Sequence, residues 1–302
     1  MPALGTHAIQ SGDCLRKVKS EIERRGIEVD GAFADFVAAS AVSHDSLALL
    51  FGTAYDRCFV TAHEKNTDAF FLALIAYIKE NSLRGNANAM AYLYGMVMHY
   101  ALDTCAHPLV YYMTELHPAK FTSALGAHAL FETWVDTEKE KEEKARAEQE
   151  GKAYKPNLPY RRSVGKGGID ALVDAVYEGV YGLKKAARGY RGGIKLWHAY
   201  QLLLRSAMLK HVKGYVPDFE AMLNPDGGQF RHPVTGDALT TTFQQAYDAS
   251  IDLACELIAA VNANIFDGAD NGDLLKKAFG NSYDTGVAWD DPRSRQYFKE
   301  YA

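Results

Sequence analysis

Between residues 99 and 132 the chain twice sets a histidine four positions ahead of an acid: His99 and Asp103 in HYALD, then His128 and Glu132 in HALFE. On an α-helix, residues four apart project from one face, one turn apart. Each pair can therefore offer an imidazole nitrogen and a carboxylate oxygen to one divalent ion. That is the ligand set of zinc or another borderline metal. His107 lies between the pairs, a further turn beyond Asp103. An internal hydrogen bond or ion pair explains most single His-x-x-x-acid pairs. Two of them within 34 residues, with a third histidine between, favour a metal centre.

Further candidates stand upstream. They are His7 near the amino terminus, His44 and Asp45 in SHDS, and His63 in TAHEKNTDAFF. His117, His198, His211 and His232 have no partner at ligand spacing and read as core or surface residues.

These residues need helices to position them, and helical periodicity dominates the chain. Apolar residues recur at three- and four-residue spacing near 12–25, 31–51, 66–82, 86–106, 108–117, 119–147, 166–188, 192–212 and 241–266, with a shorter segment near 271–279. No run of strict alternation bounded by turn residues stands out. The pattern predicts an all-α fold, a single multi-helical domain of about nine or ten helices around a metal cluster. Asn66 and Thr67 mark a helix start, and Gly85-Asn86 punctuates the next. Pro108 fits the first turn of a new helix, where its missing N–H costs nothing. A bend is therefore expected just after His107, turning it away from Asp103. The charged run at about 138–165 reads as a solvated protrusion, and NPDGGQFRHPVTGDALTTT as a long loop.

Composition excludes little chemistry but several partners. Apolar residues make up 48% and charged residues 24%, as in a soluble globular protein. A net charge of −5 gives no basic field for a stable nucleic-acid complex, although a nuclease needs none. No uninterrupted apolar run reaches the roughly 18 to 20 residues of a membrane span. Four scattered cysteines without CxxC spacing point away from a disulfide framework and from a cysteine zinc site. The amino-terminal residues show no basic-then-apolar leader pattern, so the expected location is cytoplasmic, with secretion left open.

In order and spacing, the series resembles the zinc-dependent phospholipase C family, whose all-helical fold is shared with S1/P1-type nucleases. That family carries a near-terminal His, an Asp, a His before an NT..F helix, then H-x-x-x-D, an H-P and H-x-x-x-E. The matching positions are His7, Asp45, His63 in AHEKNTDAFF, His99 and Asp103 in HYALD, His107 in AHP, and His128 and Glu132 in HALFE. YLYGMVMHYALDTCAHPLV is the most specific piece, and FRHPVTGDALTTTFQQAYDASIDLA is similar to a later family segment. The resemblance covers roughly residues 2–265.

The resemblance implies one zinc ion on Asp45, His63, His99 and Asp103, and a second on His107, His128 and Glu132. It implies a third on His7, a shared Asp103 carboxylate and the terminal amine. The family's secreted enzymes begin with a processed Trp nine to twelve residues before that histidine. Here His7 is six positions after Met1 and no Trp precedes it, so two ions are expected, with His7 completing a weaker third site. Asp45 is the implied catalytic carboxylate, as base or as ligand. The implied activity is hydrolysis of a phosphodiester or phospholipid. A nuclease or other phosphoesterase is the rival enzyme, and an inactive metal-stabilised helical binding domain is the rival without turnover.

Overall fold

The computed structural model describes residues 4–116, 124–153, 168–205, 219–294 and 296. Among them are twelve α-helices and one two-stranded sheet, so the class is all-α as expected. The helices are α1 (Leu4–Arg24), α2 (Gly31–Ser40), α3 (Ser43–Ala48), α4 (Ala54–Glu64), α5 (Thr67–Glu80), α6 (Ala87–Leu116) and α7 (Ala124–Gln149). They continue with α8 (Asp170–Tyr181), α9 (Ala186–Arg205), α10 (Phe219–Met222), α11 (Phe243–Phe266) and α12 (Gly272–Ala278). The strands, β1 (Phe230–Arg231) and β2 (Ala238–Leu239), pair antiparallel inside the stretch expected to be loop.

Helix α6 is apolar around most of its circumference, the signature of an element buried on all sides. Met90, Leu93, Val97 and Ala101 are fully buried, and α11, α2, α1 and α7 pack around them. Gly95 brings α2 close: a Cβ there would lie 2.5 Å from both the Ser40 Cβ and the Val37 carbonyl oxygen. Helix α11 opens on a capping box in which Thr242 accepts from the Gln245 amide at 3.0 Å and Gln245 Oε1 accepts from the Thr242 amide at 3.0 Å. By length and mean hydropathy α11 could cross a bilayer; half of that stretch is buried inside the protein, with Asp252 and Glu256 on its exposed side.

Several boundaries differ from the sequence expectation, each for a physical reason. The segment expected as one helix over 31–51 divides at Ala41-Val42, where Val42 leaves helical geometry at φ −115° and ψ 14°. The interruption frees the Ala41 carbonyl for a side-chain donor. The segment expected over 166–188 ends at Gly182, whose φ of +68° makes a left-handed αL stop. Its partner bonds are Gly182 N to Glu178 O and Leu183 N to Tyr177 O. Helix α1 starts at Leu4 rather than near 12, which places His7 in its first turns. Helix α4, absent from the sequence reading, is capped by Thr53, which accepts from the Tyr55 amide at 3.2 Å.

The expected bend after His107 is not present. Helix α6 runs without interruption from Ala87 to Leu116 with Pro108 inside it. Proline removes the amide that would pair with the carbonyl four residues back, Thr104, and crowds that carbonyl with its ring. That carbonyl is covered instead by Gly286, at which a Cβ would come within 2.5 Å. Of the charged run at 138–165, the described part is helix through Gln149 and is not fully solvated. Lys139 is buried, donating to Glu142 and Gln244 at 2.9 and 2.8 Å, and Arg146 reaches Asp13 of α1 at 3.1 Å. Residues 154–165 of that run lie outside the described residues.

Candidate metal centre

Three elements bring the first ligand group together. Short α3 supplies Asp45, the last turn of α4 supplies His63, and α6 supplies His99 and Asp103. One ligand atom from each lies within 4.8 Å of the others. His63 Nε2 is 3.0 Å from Asp45 Oδ1, and His99 Nε2 is 3.1 Å from Asp103 Oδ2. Glycine makes this approach possible at a distance: α9 crosses α3 at Gly193, where any Cβ would collide with the Ser46 carbonyl next to Asp45.

The second group joins α6 to α7. Glu132 Oε1 lies 3.3 Å from His107 Nε2 and 2.8 Å from His128 Nε2. The groups separate along the straight axis of α6, because four residues advance the helix by about 6 Å. No bend is needed to aim His107 elsewhere. Asp103 stands between them, with Oδ1 3.8 Å from His107 Nε2 and 3.0 Å from His7 Nε2. His7 also stacks on His99 at 4.3 Å between ring centres. None of these eight residues is more than 5% exposed.

Backbone carbonyls fix the imidazoles. His99 Nδ1 lies 2.7 Å from Ala41 O, His63 Nδ1 2.9 Å from Phe59 O, and His107 Nδ1 2.8 Å from Tyr283 O. A carbonyl only accepts, so each Nδ1 carries the proton and each neutral ring presents the Nε2 lone pair inward. Nε2 of His63 and His99, both Asp45 oxygens, Asp103 Oδ2 and Glu132 Oε2 are buried without a hydrogen-bond partner. His63 Nε2 and Asp45 Oδ1 approach to 3.0 Å yet are not aligned as donor and acceptor. Buried polar atoms left unpaired cost roughly 1–3 kcal/mol each. Buried nitrogens and oxygens that converge without a hydrogen-bond partner are what a cation would satisfy, so the residues present fit zinc.

The electrostatics agree. Burial opposes charge on His99, but Asp45 and Asp103 outweigh it and push the imidazole up to about 9. Burial likewise opposes charge on His107, while Asp103 and Glu132 push it up to about 10. Burial would raise Asp103, yet His107, His99 and His7 hold it well below the usual carboxylate range. Glu132 is also depressed, with His128 and His107 overcoming burial. Without a metal ion, protons on His99 and His107 balance the carboxylates.

The described residues also include partners that the sequence reading did not assign. His44 is buried against the His63 and His99 rings, at 5.6 and 5.9 Å, with Nδ1 2.6 Å from the Tyr177 hydroxyl. Burial holds it well below the ordinary histidine value, so it is a neutral wall of the site. Asp136, one turn beyond Glu132, accepts from Gly5 N at 2.9 Å, Thr6 N at 2.7 Å and Thr6 Oγ1 at 2.8 Å. It thereby anchors the start of α1 beside His7. Its four-residue spacing from Glu132 is a signal the sequence did carry. His232 accepts from the Val234 and Thr235 amides and stands apart from the ligands. His117, His211 and the side chain of His198 lie outside the described residues.

The sequence model of the family described as Zinc dependent phospholipase C matches residues 32–186, just over half of the chain. The chain belongs to this family. The matched region contains seven of the eight candidate ligands and leaves out His7. No curated protein and no solved structure matches significantly. Family membership and the two ligand groups together support a zinc-dependent phosphodiesterase of the phospholipase C kind.

Proposed function

We propose that the protein hydrolyses phosphodiesters, with a phospholipid as substrate class. On this reading it holds one zinc ion on Asp45, His63, His99 and Asp103, a second on His107, His128 and Glu132, and a weaker third at His7. The observation that carries the reading is the pair of buried ligand groups whose imidazoles are turned inward by backbone carbonyls. Zinc bound there supplies positive charge for phosphoryl oxygens and lowers the pKa of a water toward neutrality. The chain's own groups do the rest. Asp45, whose two oxygens have no hydrogen-bond partner, orients the attacking water and takes its proton. Asp103 spans the groups and keeps their charges balanced. The second group offers three protein ligands, which leaves a fourth position for water or a phosphate oxygen.

The test is turnover of phosphatidylcholine, a soluble phosphodiester and single-stranded DNA by zinc-loaded protein. Hydrolysis of phosphatidylcholine with stoichiometric zinc is expected. Cleavage of DNA alone would move the protein to the nuclease class. Stoichiometric zinc without turnover of any of the three would make it a metal-stabilised binding domain. Protein that purifies without zinc and keeps its stability in chelator would end the metal reading.

A further inference from the structure

The segment from Ala278 to Trp289 lies beyond the family-matched residues, and it lies directly behind the ligands. It folds back on itself through Ser282 N to Val287 O at 2.8 Å and Trp289 N to Gly280 O at 2.9 Å. Its base is tied to α6, which carries three of the ligands, and to α5. Tyr100 Oη donates to Ala278 O at 3.0 Å, and Thr67 Oγ1 donates to Phe279 O at 2.7 Å. Trp289 Nε1 donates to Asp68 Oδ1 at 2.9 Å.

From this base the turn touches both ligand groups unequally. The Tyr283 amide and Ser282 Oγ each donate to the His63 carbonyl at 3.0 Å. The Tyr283 ring packs beside the His63 and His99 rings at 5.1 and 5.2 Å, but neither imidazole takes its Nδ1 acceptor from the turn. The His63 ring is aimed separately, by Phe59. His107 is different, because its Nδ1 has the Tyr283 carbonyl as acceptor, at 2.8 Å. Asp284 Oδ1 stands 3.9 Å from the same nitrogen. The turn is seated where Pro108 strips the amide from the Thr104 carbonyl. Gly286, at φ +66°, rests on that carbonyl, and an added Cβ would also lie 3.3 Å from Pro108 Cγ.

We propose that the 278–289 turn is a positioning element of the metal centre, which aims His107 at the three-ligand group and is seated by Gly286 on the carbonyl exposed by Pro108. Outer partners that orient a metal-bound imidazole are typically worth about 10- to 100-fold in metal affinity. The turn supplies that partner to His107 from a region outside the family match. The inference rests on the zinc reading above, and its test separates the two.

The experiment compares wild type, Gly286→Ala and Gly268→Ala by zinc per chain retained against a competing chelator. Gly268, at φ +69°, has open space around it, so its substitution carries the same left-handed backbone strain without touching the turn. Gly286→Ala is expected to weaken zinc at the three-ligand group about 10- to 100-fold and to leave the four-ligand group loaded. Combined with His128→Ala, which disables the three-ligand group, it should cause no further loss. If Gly286→Ala does not fold, Trp289→Phe decides, since it removes only the bond to Asp68 and should weaken the same group by a smaller factor. Zinc retention equal to Gly268→Ala, or equal to wild type for Trp289→Phe, would overturn the proposal. So would equal loss from both groups, or loss of the remaining zinc in the His128→Ala background. Failure of wild type itself to hold zinc would instead refute the metal reading.

Discussion

The two ligand groups are built on different plans. The first draws Asp45, His63, His99 and Asp103 from three helices and includes two carboxylates, with every member no more than 3% exposed. The second draws His107, His128 and Glu132 from two helices and has one carboxylate, and one of its imidazoles is aimed by a turn far along the chain. Four ligands complete a tetrahedral zinc site, whereas three leave a position for water or substrate. The first group is therefore the closed, charge-rich half of the centre. On the reading proposed above, the second is the half with a position open to water or substrate. Asp103 belongs to both by geometry, with one oxygen toward His99 and the other toward His7 and His107.

The contrast breaks first at Asp103. Asp103→Asn keeps the shape and removes the shared charge, so zinc should fall at both groups and turnover by about 100- to 1,000-fold, the scale for losing one preorganised electrostatic contact. Elemental analysis with a phosphodiester assay measures both. Loss confined to the first group would mean that the carboxylate is not shared. Glu132→Gln has the next largest effect and is one-sided. It should weaken zinc at the second group by more than the roughly 10- to 100-fold of an outer partner, while the first group stays loaded. A third measurement sharpens the electrostatic side. His107 is pushed up to about 10 and His99 to about 9, so at neutral pH each must surrender a proton before zinc can take its Nε2. Zinc affinity should therefore rise with pH toward those values and level off above them. Calorimetry in two buffers of different ionisation enthalpy should show proton release on binding. Affinity that is flat with pH would contradict the protonated, metal-free centre.

How much of this could be read from the sequence depended on where each contact lies along the chain. His99 with Asp103 and His128 with Glu132 were legible because the helical period alone puts each pair on one face. Asp45, His63 and His7 sit on three separate helices, so only their order, matched to a family pattern, links them. A bend at Pro108 is the sequence expectation because proline usually starts or breaks a helix. Here Gly286, 178 residues away, covers the carbonyl that Pro108 leaves over. The acceptors that set the imidazoles, on Ala41, Phe59 and Tyr283, are main-chain atoms and leave no residue-type signal at all. Asp136 shows the intermediate case: its spacing from Glu132 was visible, but its partners Gly5 and Thr6 are about 130 residues away.

The central claim is that this chain holds metal at two adjacent groups, and anomalous diffraction at the zinc edge addresses it most directly. Crystals of protein purified with zinc should show one peak bounded by Asp45, His63, His99 and Asp103 and a second bounded by His107, His128 and Glu132. A weaker third peak beside His7 and Asp103 would complete the series. Crystals with no anomalous density at either group, or with zinc held only by other residues, would contradict it.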